Sequence, residues 1–178
     1  MRRLLLVDDE INVLNALQRA LHRHFGCEEM RIEISHDPRQ ALLRVRECAF
    51  DLIISDFRMP PMSGVEFLMA VKSLQPDAVR LMLSASTEFD AVMSAINEAE
   101  VFRYIAKPWQ DKDLQEIIRL ALARRDQLLE DRALADEVRV ERGVLSAEDH
   151  EARRLEAAEP GITKVTWGPD GAVILDEL

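Results

Sequence analysis

The chain has 178 residues, 48% hydrophobic, with only 6 glycines and 7 prolines, which suits one domain with a full core or one domain plus an appendage. A formal net charge of −10 argues against general nucleic-acid affinity, which needs Lys and Arg to neutralise phosphates, and no apolar run approaches the roughly 18 residues needed to cross a bilayer. The apolar run after Met1-Arg2-Arg3 already ends at Asp8, too soon for a signal peptide, so the expectation is a cytoplasmic protein without a membrane partner.

Arg3 to Val7 reads as a short apolar strand, and Glu10 to Phe25 carries helical spacing through Ile11, Leu14, Leu17 and Leu21. Arg31 to Ser35 alternates like a strand. Asp37 stands where an N-cap belongs, with Pro38 at the first helical position. Asp51 to Ser55 is a third strand, and Ser63 with Glu66 has capping-box spacing for a helix reaching about Leu74. Val79 to Leu83 is a fourth strand, followed by a helix near Thr87 to Ala99, and Val101 to Ile105 is the fifth. Cys27 and Cys48 have neither metal nor redox spacing, and the four histidines do not cluster.

Strands alternating with helices predict an α/β fold: a doubly wound parallel sheet with helices on both faces. In such sheets the site lies beyond the carboxyl ends of the strands. Asp8 and Asp9 follow strand one, Asp56 strand three, Ser84 strand four and Lys107 strand five. Each has an ordinary reading. Asp9 is a candidate helix cap, Asp56 a turn residue, Ser84 a second cap and Lys107 a solvated charge. Together they would require four coincidences at one sheet edge.

Read jointly, their chemistry is coherent. Clustered carboxylates repel one another, and a hard cation such as Mg2+ relieves this with oxygen ligands. A carboxylate is already a nucleophile and can form an aspartyl phosphate. Lys107 can offset charge on the phosphoryl oxygens, and the Ser84 hydroxyl can donate a hydrogen bond to one of them.

The stretches V-D-D-E at 7–10, S-D-F-R-M-P-P-M-S-G at 55–64, L-M-L-S-A at 81–85 and Y-I-A-K-P-W at 104–109 carry a family resemblance. From about Arg3 to Leu122 the chain resembles the receiver domain of two-component response regulators. The resemblance implies a flavodoxin-like five-stranded sheet of order 2-1-3-4-5, with Asp56 accepting phosphate from a sensor histidine kinase or a phosphotransfer protein. It implies Mg2+ held by Asp9, by Asp8 mainly through water, by Asp56 and by the Arg58 backbone carbonyl. Pro60 and Gly64 would fix the loop after the acid, and Lys107-Pro108 would be a cis peptide aiming the amine into the site. Ser84 and Tyr104 match the family's switch pair, although Tyr104 also reads as a half-buried strand residue. Residues 97–109 further resemble receivers joined to cyclic-di-GMP phosphodiesterases and to some transcriptional activators.

Residues 1–123 are therefore expected to form the receiver, and 124–178 a C-terminal extension. Asp111 is read as the cap of a long helix whose apolar stripe begins at Leu114, Ile117 and Ile118 and continues to Leu128 and Leu129. Leu128, Leu129, Leu134, Ala135 and Val138 would form a weak seam with a second copy, interrupted by Arg125 and Arg132. The alternatives are a solvated helix or one folded back on its own receiver. Gly143 is placed to stop the helix, Ser146 with Asp149 to start a short one ending near Ala158, and 162–167 with 172–175 read as a β-hairpin. The extension holds no phosphate loop and no metal cluster. The expectation is a signalling switch without enzymatic or DNA-binding output, acting as a homodimer or through an unknown downstream protein. Two alternatives remain: a receiver fragment of a longer regulator with an enzymatic output, and a phosphatase-like hydrolase. The latter is disfavoured because Arg58 stands where such enzymes need an acid.

Overall fold

The computed structural model describes residues 1–26, 28–85, 99–158, 162, 166–167 and 173–174. Five strands, β1 (Arg2–Val7), β2 (Met30–Ser35), β3 (Leu52–Asp56), β4 (Val79–Ala85) and β5 (Arg103–Lys107), form one parallel sheet in the order β2-β1-β3-β4-β5. Helices α1 (Ile11–His24), α2 (Pro38–Glu47), α3 (Gly64–Leu74) and α4 (Asp111–Glu141) cover it. This is the flavodoxin-like arrangement expected from the sequence. The helix expected near Thr87 to Ala99, all but Ala99, and Cys27 lie outside the described residues.

The central strands are buried on both faces, and their side chains divide by alternation. Leu4, Leu6, Leu52, Ile54, Leu81 and Leu83 meet α1 and α4. Leu5, Val7, Ile53 and Met82 meet α2 and α3 on the other face. Burial of each such side chain stabilises the fold by about 1.5–3 kcal/mol, which outweighs any local preference of these short segments.

Helix starts follow their chemistry. The Asp37 carboxylate accepts the Arg39 N–H at 2.8 Å, with Pro38 in the first turn. Ser63 and Glu66 close the full capping box before α3. The long helix differs from expectation: its N-cap is Gln110, with no side-chain cap bond, and Asp111 instead pairs with Arg23 of α1 at 2.7 Å. Strand β5 also begins two residues later than its apolar run suggests. Val101 and Phe102 are core residues, but the ladder to β4 starts where Arg103 pairs with Leu81.

The helix does not leave the receiver as a bare seam. Arg125 and Arg132, read as interruptions, face the domain and pair with Asp51 and Asp77, while Arg2 of β1 holds Asp126 at 2.6 Å. Leu128 packs against the core; Leu134 and Val138 remain exposed. Gly143 adopts φ +67°, the left-handed conformation expected just past a helix end. The chain then turns back as α5 (Ala147–Ala158), capped by Ser146, whose hydroxyl oxygen accepts the Asp149 N–H at 3.0 Å. Arg153 of α5 returns to Asp136 of α4 at 3.5 Å. Of the expected hairpin, two antiparallel strands are described, β6 (Thr166–Trp167) and β7 (Val173–Ile174). Among the described residues no helix is long and apolar enough to cross a membrane.

Candidate functional site

The site grows out of the central strand pair. Val7 of β1 and Ser55 of β3 are register partners, so Asp8 and Asp56 emerge side by side one position further on. Asp8 is fully buried and Asp56 is 7% exposed. The Lys107 ammonium, at the end of β5, donates to Asp8 Oδ2 at 2.7 Å and forms an ion pair with Asp56 Oδ1. Residues far apart in the chain thus meet at one ammonium. The Lys107–Pro108 bond is cis, as the resemblance implied, and Pro60–Pro61 is cis as well.

Backbone amides complete the acids' surroundings. Asp8 Oδ1 accepts the Glu10 N–H at 2.9 Å and Asp56 Oδ2 accepts the Arg58 N–H at 2.7 Å. The turn reading of Asp56 is therefore also true: one oxygen shapes the loop while the other faces Lys107. Glu10, with no side-chain cap bond, is the N-cap of α1, so Asp9 is freed from that role and stands exposed beside Asp8. The Arg58 side chain is exposed and its backbone lies against the acid.

Two further residues set the path of the acid's loop. Gly64 donates its N–H to the Phe57 carbonyl at 2.9 Å, and a Cβ there would overlap the Asp56 carbonyl oxygen. Only glycine lets the start of α3 approach that closely. Met59 is buried beneath the loop, within 3.9 Å of the Ser55 hydroxyl, and Met62 packs on the same core.

Electrostatics are uneven across the site. Burial pushes the Asp8 carboxyl above its ordinary value, more than its bond to Lys107 lowers it. Burial also works against the Lys107 ammonium, but hydrogen bonds to Asp56 and Asp8 prevail and raise it. The ammonium gains from two carboxylates, whereas Asp8 must share a single cation while fully desolvated.

Ser84 is buried at the end of β4, its hydroxyl donating to the Ala85 carbonyl at 3.1 Å. Tyr104 of β5 is 40% exposed, its backbone paired with Met82. The sequence reading missed Gln75, which is buried after α3. Its amide donates to the Val45 and Cys48 carbonyls at 2.5 and 2.6 Å and accepts the Phe50 N–H at 2.9 Å. A polar residue closing an apolar helix was its one visible signal.

The family model for the response regulator receiver domain matches residues 4–119. The chain belongs to this family. It is 35% identical to the hydrogenase transcriptional regulatory protein HoxA of Cupriavidus necator over 118 residues, which is 66% of this chain and 23% of that protein. It thus spans about a quarter of the length of that relative. Among solved structures, the adenylate cyclase from Rhodopirellula baltica superposes with a TM-score of 0.68 at 31% identity, covering 76% of this chain and 97% of that one. A response regulator receiver domain protein from Clostridium thermocellum gives 0.65 at 25% identity, covering 72% and 99%. The chain is a receiver domain of a response regulator in two-component signalling, carrying residues beyond the matched region at its C-terminal end.

Proposed function

We propose that Asp56 accepts a phosphoryl group from the phosphohistidine of a sensor kinase or phosphotransfer protein. The observation that carries this reading is the single ammonium of Lys107 shared by Asp8 and Asp56. A bond forms between an Asp56 carboxylate oxygen and phosphorus as the P–N bond breaks, its electron pair returning to the imidazole nitrogen. Lys107 stays beside the new phosphoryl oxygens and offsets their charge. The Ser84 hydroxyl turns from the Ala85 carbonyl to donate to one of them, and Tyr104 changes its packing on β5.

Receiver domains bind Mg2+ at the phosphorylation site, and the donor set here suits it. No three His, Cys, Asp or Glu side chains form a metal cluster among the described residues. Mg2+ does not need one, because it keeps several waters and takes one or two carboxylates. Asp9, Asp56 and the Arg58 carbonyl would hold it directly, and Asp8 mainly through water. When bound, it supplies charge neutralisation for the phosphoryl oxygens.

The switch then alters association, with a second copy or with a downstream protein. The surface in question is the groove of about 480 Å³ along β5 and the start of α4, lined by Tyr104, Trp109, Leu114 and Ile117. Residues 124–178 act as the docking or dimerisation element, through exposed Leu134 and Val138. On this reading the chain itself is a signalling module without enzymatic or DNA-binding output. The likeness to an adenylate cyclase structure favours a second reading, a receiver serving an enzymatic output.

The test is intact mass after treatment with Mg2+ and a small phosphodonor such as acetyl phosphate. The wild type gains one phosphoryl group and Asp56→Asn gains none. An equal gain in the variant overturns the assignment of Asp56.

A further inference from the structure

Arg125 is an arginine in an unusual position. It is 7% exposed, yet its Nε and Nη1 donate to no acceptor among the described residues. The Asp51 carboxylate stands 3.8 Å from Nε, beyond hydrogen-bond reach, and already accepts the Arg3 N–H at 2.8 Å and Arg2 Nη1 at 3.4 Å. Buried donors are nearly always paired, and a guanidinium does not escape by losing its proton.

The side chain lines a cleft of about 610 Å³ between the receiver and the α4–α5 hairpin. Arg132, Arg153, Arg154 and His150 line it as well, and Arg125, Arg132 and Arg153 also line a smaller pocket of about 180 Å³. Three acids, Asp51, Asp136 and Glu137, line the cleft against five arginines, of which Arg132 and Arg154 also pair with Asp77 and Glu151. Asp51 is committed as described, and Asp136 is held by Arg139 at 2.8 Å and by Arg153 at 3.5 Å. Several guanidinium groups around one opening suit an anion with three acceptor oxygens better than a carboxylate with two, and a planar fork meets phosphate bidentately.

We propose that this cleft binds a phosphate-bearing small molecule, with Arg125 as its buried anchor and Arg132 and Arg153 at its mouth. The site is separate from the acid pocket: Asp51 precedes β3 and Asp56 ends it, so the two lie at opposite ends of one strand. A ligand there would tie α5 to the receiver.

Calorimetric titration of the full chain with inorganic phosphate, pyrophosphate and ATP, without divalent cation, tests the site. Saturable binding is expected, of equal strength in wild type and Asp56→Asn. It weakens roughly tenfold or more in Arg153→Ala, whose side chain is half-exposed. Arg125→Met should abolish binding while circular dichroism remains that of a folded chain. If that variant does not fold, Arg153→Ala alone decides. Equal affinity for phosphate and ATP assigns recognition to the phosphate alone, and tighter ATP binding assigns it to a nucleotide; either supports the site. No saturable heat with any of the three, binding unchanged in Arg153→Ala, or binding lost in Asp56→Asn overturns it.

Discussion

Lys107 Nζ stands 2.7 Å from the carboxylate of Asp8, an acid with no exposed surface, and the same ammonium touches Asp56. Removing it leaves two neighbouring carboxylates facing each other without a cation. Lys107→Met should therefore cost on the order of 3 kcal/mol at pH 7 in urea denaturation. The deficit should shrink as pH falls toward 4, because Asp8 then takes up a proton. A deficit that does not change with pH would contradict the shared-cation picture.

Asp8 alone makes a second pH argument. Its folded-state pKa is raised above the ordinary 3.8 by burial. Its contribution to stability is fully present below that ordinary value and is lost as pH rises through the raised one. Asp8→Asn should accordingly be more stable, relative to wild type, at pH 7 than at pH 4. Glu33 has the opposite sign. Burial raises it, but bonds from Arg44 and Arg3 outweigh burial and hold it low, so its contribution is lost as pH falls. Glu33→Gln should weaken the fold at pH 7 and matter less in acid.

Gly64→Ala should destabilise by about 1–3 kcal/mol, since the added methyl group meets the Asp56 backbone and not a yielding side chain. It should also slow labelling of Asp56 by acetyl phosphate, because the acid's own backbone must move. Gly26→Ala is the control: its nearest neighbour would be Glu29 Cγ at 4.0 Å, and little change is expected.

Gln75→Leu should cost about 2–3 kcal/mol, as the buried Phe50 N–H and two carbonyls lose their partners together. Asp51→Ala should cost a similar amount, by stripping Arg3 N–H of its acceptor and Arg125 of its nearby charge. Arg2→Ala, whose pair with Asp126 is well exposed, should change stability by no more than about 1 kcal/mol. Equal losses for Asp51→Ala and Arg2→Ala would show that burial is not what distinguishes these sites.

The sheet was legible in the sequence because its determinants are local. Leu4 to Val7 and Leu52 to Ser55 are apolar runs that end at acids, and Asp37-Pro38 and Ser63 with Glu66 announce their helices. Asp8, Asp56 and Lys107 could be placed at one edge because topology alone brings strand ends together. The Arg125 and Arg132 contacts could not be read that way. On α4 they look like breaks in an apolar stripe, and only their distant partners, Asp51 and Asp77, reveal which way they face. Gln75 was hidden for the same reason: its partners lie 25 to 30 residues away on other segments. The start of β5 was misjudged because Val101 and Phe102 are apolar for the core and not for the ladder.

The adjacency of Asp8 and Asp56 is set by the rung that joins Val7 to Ser55. That makes the pair sensitive to chain length in a way that its chemistry is not. A residue inserted into a loop away from the acids would be absorbed nearby. One inserted between Leu4 and Val7, or between Leu52 and Ser55, would reverse which face each later side chain meets and carry an acid away from its neighbour. Connections remote from the acids can lengthen without parting the pair, but β1 and β3 must keep count together.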